Sequence, residues 1–462
     1  MEKSELSALL TRDGLALLDE VGPIASSDDV ARAVSRLRAA GHSPELVSAV
    51  VGQAHLRVRA RAKFGEFAQR MLFTRAGLEQ ATRLNVATLH AVRMRRAGIT
   101  AVADLGCGIG GDSLAFAGAG LRVTAVDADE VTAGIAAYNL APFGADAEVR
   151  TGRAEEHVPG GAHPVTRASS TLQEQNDAST GSATQENSAT QRQNDASTGS
   201  ATQENSATQR QDDASTGSAP QAGSAPQEGH AVWLDPARRT AGHSETRRLS
   251  ASDWSPSLDW CFEVAREHPT GIKLGPGLDR DLIPDDVEAQ WVSADGSVVE
   301  LVLWSGALAR EGVRRSALVI ADGQTHELTA AADAADEPVR GLGAFLHEPD
   351  GAVIRARLIG DAARMLNAGM LDEQIAYLTG DDAVTSPFVQ TFRVRETMPV
   401  HAKTINAALR ANDIGRLEIK KRGMDIDPAA FRRKLTLKGS KPATLILTRT
   451  QAGRIAILAD RV

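Results

Sequence analysis

A run of glycines bracketed by acids, Asp104-Leu105-Gly106-Cys107-Gly108-Ile109-Gly110-Gly111-Asp112, follows a short apolar stretch and precedes a helical pattern. Glycines there allow a tight turn, and a ligand can lie against bare backbone amides at a helix N-terminus. Gly106, Gly108 and Gly111 satisfy the Gly-x-Gly-x-x-Gly spacing, which also fits nicotinamide-dependent enzymes. Asp104, two residues before the first glycine, favours a different ligand. A carboxylate there can bind the ammonium of a methionine moiety, whereas it repels a pyrophosphate. Asp127, closing the next apolar run, is placed to accept hydrogen bonds from two ribose hydroxyls. These features point to S-adenosylmethionine, with Gly110 and Asp112 completing the binding turn. A structural turn with a surface acid is the plainer alternative.

The second chemical signal is Leu234-Asp235-Pro236-Ala237-Arg238-Arg239, at the end of a later apolar run. In doubly wound sheets, binding and catalytic groups gather beyond the carboxyl ends of the strands. Asp235 and the Pro236 carbonyl can hold an exocyclic amine with its lone pair toward a methyl group, so positioning does most of the catalytic work. Proline fixes the turn and removes a competing donor. A helix cap followed by surface arginines is the competing reading. Near the position where an adenine ring is recognised, Gly152-Arg153-Ala154-Glu155-Glu156 offers acids, with Glu155 the expected acceptor. Cys107 reads as a small turn residue rather than a nucleophile, and Cys261 as core.

A third group is cationic: Lys420, Lys421, Arg422, Arg432, Arg433, Lys434 and Lys438. Cations converging on one face grip phosphates without reading sequence. Only Phe431 stands among them, so backbone or shape recognition of RNA is expected rather than base stacking. A solvated helix face is the alternative. The net charge of −8 argues against a polyanionic partner only on average. Residues 57–96 hold ten Lys/Arg against two acids, and residues 393–462 hold sixteen against six. Local fields decide what a polyanion meets.

The elements that must position these residues follow from pattern. Leu6, Leu9, Leu10, Leu15, Leu17 and Leu18 recur at helical spacing, and Ser43-Pro44 looks like a capped helix start. The alternating run Arg57–Lys63 imitates a strand, but its alanines and its surroundings predict a basic helix. From Ile99 onward, short apolar runs alternate with helices: Ile99–Ala103, Leu121–Asp127, Glu148–Thr151, then His230–Leu234 and Gly271–Leu274. That is the signature of a parallel sheet. Gln290–Ser293 and Ser297–Trp304 form a hairpin turning at Asp295-Gly296. Beyond residue 340 the chain reads α+β, with helices near Asp361–Ala368 and Val400–Asn412 and strands at Ala443–Thr448 and Arg454–Ala459. Residues 166–228 carry an 18-residue repeat in which Gln175–Ser182 recurs from Gln193 and, altered, from Gln211. With almost no apolar side chain to bury, the segment is expected to be a disordered surface insertion.

As an ordered set, Phe73–Thr82, Asp104–Asp112, Asp235–Arg239, Lys273-Leu274-Gly275-Pro276-Gly277 and Glu418–Gly423 resemble the bacterial class I methyltransferases with a C-terminal THUMP-like domain, relatives of the trimethylguanosine synthase group. The resemblance implies a doubly wound α/β, Rossmann-like sheet with one antiparallel strand. It also implies a helical N-terminal region at 1–97, the methyltransferase domain at 98–330 and a small α+β THUMP-like domain at 340–462. Gln80, Ala81 and Thr82 are implied to border the cofactor. Ala237 and Arg238 depart from the Asp-Pro-Pro-Tyr form of amine methyltransferases, which removes the base-stacking aromatic; Arg238 could stack or grip a phosphate instead. The expected activity is methylation of RNA, rRNA or tRNA, at an exocyclic amine. Transfer to a small molecule or protein is one alternative; non-catalytic RNA binding on the same scaffold is another. Two cysteines, a charged start and no apolar run of membrane length predict a cytoplasmic chain without disulfides. No His/Cys spacing calls for a metal.

Overall fold

Four helices open the chain, and their boundaries are set by capping. These are α1 (Lys3–Leu9), α2 (Arg12–Val21), α3 (Ser27–Ala39) and α4 (Pro44–Phe64). The side chains of Thr11, Ser26 and Ser43 accept from the backbone of Gly14, Asp29 and Leu46, satisfying amides that a helix leaves unpaired. The Arg57–Lys63 run lies within α4 and is helical. Helices α5 (Arg75–Gln80) and α6 (Leu84–Arg96) follow. Leu9, Val50, Phe64, Leu72 and Phe73 bury against Ile109 of the glycine run, so these helices form a wall beside it. The computed structural model describes residues 1–159, 229–238 and 254–462. The repeat segment expected to be disordered lies outside the described residues.

Strands β1 (Ile99–Leu105), β2 (Arg122–Asp127), β3 (Ala147–Thr151) and β4 (Gly229–Leu234) are parallel, with α7 (Gly111–Gly118) and α8 (Glu130–Leu140) between them. Asn139 of α8 pins the helical wall to the glycine run, since its side-chain amide bonds the backbone of both Leu72 and Ile109. Two-residue strands β5 (Ala237–Arg238) and β6 (Trp254–Ser255) pair with each other. After α9 (Leu258–Glu267) come β7 (Thr270–Leu274), β8 (Glu288–Ala294), β9 (Ser297–Trp304), β10 (Arg315–Ala321) and β11 (Gln324–Ala330). The sheet order is β11-β10-β8-β9-β7-β4-β1-β2-β3. It reverses direction between β1 and β4, where doubly wound sheets open a crevice.

One antiparallel strand was implied; the sheet has two. β9 runs against β7 and β8, and β11 runs against β10. The extra one arises because Asp322-Gly323, with φ of 50° and 73°, makes a second two-residue turn like Asp295-Gly296, with 52° and 75°. Two consecutive positive φ values match the twist of a hairpin.

The C-terminal part has β12 (Phe345–Pro349), α10 (Gly351–Arg355), α11 (Ile359–Met365), β13 (Gly369–Asp372), β14 (Ile375–Gly380), β15 (Val389–Met398), α12 (Ala402–Ala411), β16 (Ile414–Lys421), α13 (Pro428–Arg432), β17 (Lys441–Thr450) and β18 (Gly453–Arg461). Its sheet order is β13-β14-β12-β15-β18-β17-β16. The expected strands fall in the β17–β18 hairpin, and the two expected helices overlap α11 and α12. Leu274, Val287 and Ala289 share one continuous apolar cluster with Ala352, Ala362, Leu378 and Phe388, so both sheets draw on a common core. Among the described residues, no helix is long and apolar enough to cross a membrane.

Candidate active site

Past β1 the chain folds back on β2: the amides of Gly106 and Cys107 both donate to the Val126 carbonyl, at 2.8 and 2.9 Å. Gly106, Gly108 and Gly110 take φ values of 97°, 56° and 82°, which favour glycine. A Cβ added to Gly106 would stand 3.2 Å from the Asp235 carbonyl oxygen. The two motifs, remote in sequence, therefore abut across neighbouring strands. They border a cavity of about 770 Å³ whose walls come from Glu79–Arg83, the glycine run, Asp127, Gly152–Glu155, Asp235–Ala237, Trp254–Pro256, Lys273–Gly275 and Glu300.

Gln80, Thr82, Gly106, Gly108, Gly111, Asp112, Asp127, Glu155, Asp235 and Pro236 all line this cavity. Asp127 ends β2 with its carboxylate accepting from the amides of Gly108 (3.0 Å) and Asp129 (2.9 Å). Burial raises its pKa above the usual carboxylate range. Glu155 pairs with Arg153 at 3.1 Å. Two expected residues stand elsewhere. Gly110 faces Ala136 and Leu140 instead of the cavity. Asp104 is 1 % exposed beneath the turn, where it accepts the Ser113 hydroxyl. Burial first, and the nearby Asp112 second, push its carboxyl up to about 8. The acid that the sequence aims at an ammonium is thus a protonated group behind the wall near neutral pH. The Cys107 thiol is buried and pushed well up by that burial, which fits a turn residue and not a nucleophile. Cys261 is buried in α9, its thiol pushed up to about 12.

Sequence reasoning assigned no role to Lys273, His90 or Glu300, yet Lys273 and Glu300 line the cavity and His90 is buried against Asp112 and Glu300. The Lys273 ammonium lies 2.6 Å from Asp235 Oδ2, 2.7 Å from Thr82 Oγ1 and 3.2 Å from Asp112 Oδ2. Thr82 donates its hydroxyl to Asp112 at 2.8 Å. His90 Nδ1 lies 3.1 Å from Asp112 and Nε2 2.7 Å from Glu300. Burial opposes the charges of Lys273, His90 and Asp112, and there the opposite partners win. His90 is raised to about 9 by Glu300 and Asp112, and Asp112 is held well below its ordinary value by Lys273 and His90. The available signal was a lysine inside the buried strand Thr-Gly-Ile-Lys-Leu and a glutamate inside Val-Val-Glu-Leu-Val, since charges are seldom buried unless paired.

The C-terminal cations do not converge. In β16 successive side chains alternate between faces. Lys420 and Arg422 turn inward to Glu348, at 2.5 and 3.4 Å, and stand over the rings of Phe392 and Tyr377. Arg432 donates to the Leu417 carbonyl. Lys421, Arg433, Lys434 and Lys438 are exposed. The expectation for the Arg238 side chain lies outside the described residues.

Comparison with known proteins agrees with this architecture. Residues 389–461 match the THUMP domain-like family, and residues 3–60 match a domain of unknown function. An uncharacterized S-adenosylmethionine-dependent methyltransferase of Mycobacterium tuberculosis, found in strains CDC 1551 and H37Rv, is 30% identical over 433 residues, covering 91% of this chain and 97% of the relative. The crystal structure of a candidate methyltransferase from Porphyromonas gingivalis W83 superposes with a TM-score of 0.64 at 17% identity, covering 100% of this chain and 99% of that one. That last likeness concerns the fold.

Proposed function

Because the chain belongs to the S-adenosylmethionine-dependent methyltransferases, we propose that it methylates an exocyclic amine of an RNA base at the Asp235-Pro236 turn. The observation that carries this reading is the contact of that turn with Gly106, at 3.2 Å from a virtual Cβ, on one 770 Å³ cavity. The residues present suit the cofactor. Gly106 and Gly108 leave bare backbone along one wall, Asp127 offers a carboxylate for ribose hydroxyls, and Glu155 offers an acceptor for the adenine amine. When bound, the cofactor supplies an electrophilic methyl group on a sulfonium.

The chain's own residues do the rest. Asp235 and the Pro236 carbonyl accept the two N–H bonds of the amine, which turns its lone pair toward the methyl group. As the new N–C bond forms, the amine becomes acidic, and the Asp235 carboxylate is the base at hand to take its proton. The matched THUMP-like region, together with exposed Lys421, Arg433, Lys434 and Lys438, supports RNA as the polymer that carries the base.

The inward pairing of Lys420 and Arg422 with Glu348 favours a second reading, in which the acceptor is a small molecule or a protein. Tritium transfer from labelled cofactor into total RNA, protein and metabolite fractions separates the two. The expected result is label in RNA that survives digestion to a methylated nucleoside. Label confined to another fraction would refute the RNA reading.

A further inference from the structure

An ammonium carries three donors and no acceptor. Lys273 has three oxygen neighbours, on Asp235, Thr82 and Asp112, at 2.6, 2.7 and 3.2 Å. Every N–H is committed inside the protein. Burial opposes the Lys273 charge, but Asp235, Asp112 and Glu300 outweigh it and hold the proton more tightly than water does. Lys273 therefore neither abstracts a proton nor has a donor left for a bound molecule. Its one partner facing the cavity with substantial open surface is Asp235, whose side chain stays 36% exposed there. The clamp is itself anchored, because Asp112 is bonded to His90 of α6 and to Thr82.

Resting on the reading of Asp235 as the group that holds the acceptor amine, we propose that Lys273 is the positioning residue of the methyl-transfer site, clamping one carboxylate oxygen of Asp235 so that the remainder faces the acceptor. A salt bridge that serves only the fold can often be replaced by apolar packing. One that aims a carboxylate cannot, and it leaves a titration signature. Burial raises the Asp235 carboxyl, Lys273 opposes that rise, and Asp112 and Glu300 reinforce it. Replacing the ammonium by an apolar chain lifts the carboxyl further, so the carboxylate is lost at a higher pH.

The test uses the full-length chain, tritiated S-adenosylmethionine and total RNA, with protein and metabolite fractions assayed beside it. Lys273→Met, Lys273→Arg, Asp235→Asn and the Lys273→Met/Asp235→Asn pair are compared, with folding followed by circular dichroism and cofactor affinity by calorimetry. Lys273→Met is expected to bind cofactor within about threefold of wild type while losing roughly a hundredfold in kcat. The acid limb of its pH profile should move by about one unit toward alkaline pH, with Lys273→Arg recovering part of the loss. In the Asp235→Asn background, Lys273→Met should cost nothing more. An unmoved acid limb, a cofactor affinity weakened more than about tenfold, or full additivity with Asp235→Asn overturns the proposal. If Lys273→Met alone fails to fold, the charge-balanced pair and Lys273→Arg carry the same comparison. Label entering protein or metabolites instead of RNA refutes the RNA reading alone, and Lys273 is then judged on the fraction that takes the label.

Discussion

The backbone oxygen of Asp235 stands 3.2 Å from the point a Cβ on Gly106 would occupy. Both residues follow the ends of adjacent parallel strands, where Leu105 of β1 pairs with Leu234 of β4. The cofactor turn and the acceptor turn are therefore built against each other. A change in one displaces the other.

Gly106→Ala tests that relationship. The substitution forces a side chain onto a φ of 97° and crowds the Asp235 carbonyl. A loss of about 1–3 kcal/mol in stability is expected from the backbone conformation. Thermal denaturation measures it, and calorimetry should report weakened S-adenosylmethionine binding. A variant with the stability and affinity of wild type would mean the turn tolerates a side chain.

Asp127→Asn should weaken cofactor binding by roughly tenfold or more, as expected when a charge-assisted hydrogen bond to hydroxyls becomes a neutral one. Asparagine keeps an oxygen for only one of the two amides, Gly108 at Oδ2 or Asp129 at Oδ1, so a stability loss of about 1–3 kcal/mol accompanies the change and circular dichroism confirms the fold. Calorimetry of the folded variant decides the matter. Unchanged affinity would take Asp127 out of the cofactor site.

Asp104→Asn separates a buried acid from a ligand. A carboxyl raised from 3.8 to about 8 keeps its proton in the folded chain and sheds it in the unfolded one. Its contribution to stability is complete below about pH 4 and declines as pH rises toward 8, at up to about 1.4 kcal/mol per unit. Asparagine can still accept the Ser113 hydroxyl and does not titrate. The variant should gain stability relative to wild type from pH 5 to pH 8, read by denaturant titration at each pH. A parallel pair of pH curves would show that Asp104 is ionised in place.

Much of this was legible in the chain. The glycine run announces its turn because glycine adopts positive φ at least cost, and Asp295-Gly296 announces its hairpin because aspartate and glycine both tolerate it. Asp322-Gly323 carried the same signal, and β10 and β11 could have been read from it. The buried polar network at the cavity was not legible as a unit. His90, Lys273 and Glu300 lie on α6, β7 and β9, and no spacing rule links them before the sheet order is known. The cationic run Lys420-Lys421-Arg422 misled because clustering in sequence was equated with clustering on a face. The apolar alternation at Leu417 and Ile419 marks a strand, which sends neighbours to opposite sides.

His90→Leu probes that unread network. Burial disfavours the imidazolium, but Glu300 and Asp112 overcome that and raise its pKa from 6.5 to about 9. A histidine raised in this way contributes stability in full below its unfolded pKa and loses it as pH climbs through the folded one. Leucine removes the cation and leaves Asp112 and Glu300 facing an apolar chain, which should cost on the order of 3–5 kcal/mol near pH 6. Between pH 6.5 and 9 the gap from wild type should narrow. Denaturant unfolding across that window measures it, and a gap that stays constant from pH 6.5 to 9 would mean His90 is neutral between the two carboxylates.

The C-terminal cations make the final test, because their geometry divides them into two sets. Lys421, Arg433, Lys434 and Lys438 are exposed, whereas Lys420 and Arg422 are engaged with Glu348. If RNA phosphates meet the first set, each contact removed should lower the slope of log K against log salt by about 0.7–0.9. Replacing all four by alanine should therefore flatten the salt dependence of RNA binding and leave the melting temperature nearly unchanged. Lys420→Met should do the reverse: it leaves the Glu348 carboxylate, 18% exposed, with only the longer Arg422 pairing, and lowers stability with little change in slope. Filter binding over a salt series and thermal melts give both readings. Equal slopes for wild type and the fourfold variant would move the RNA contact away from these four residues.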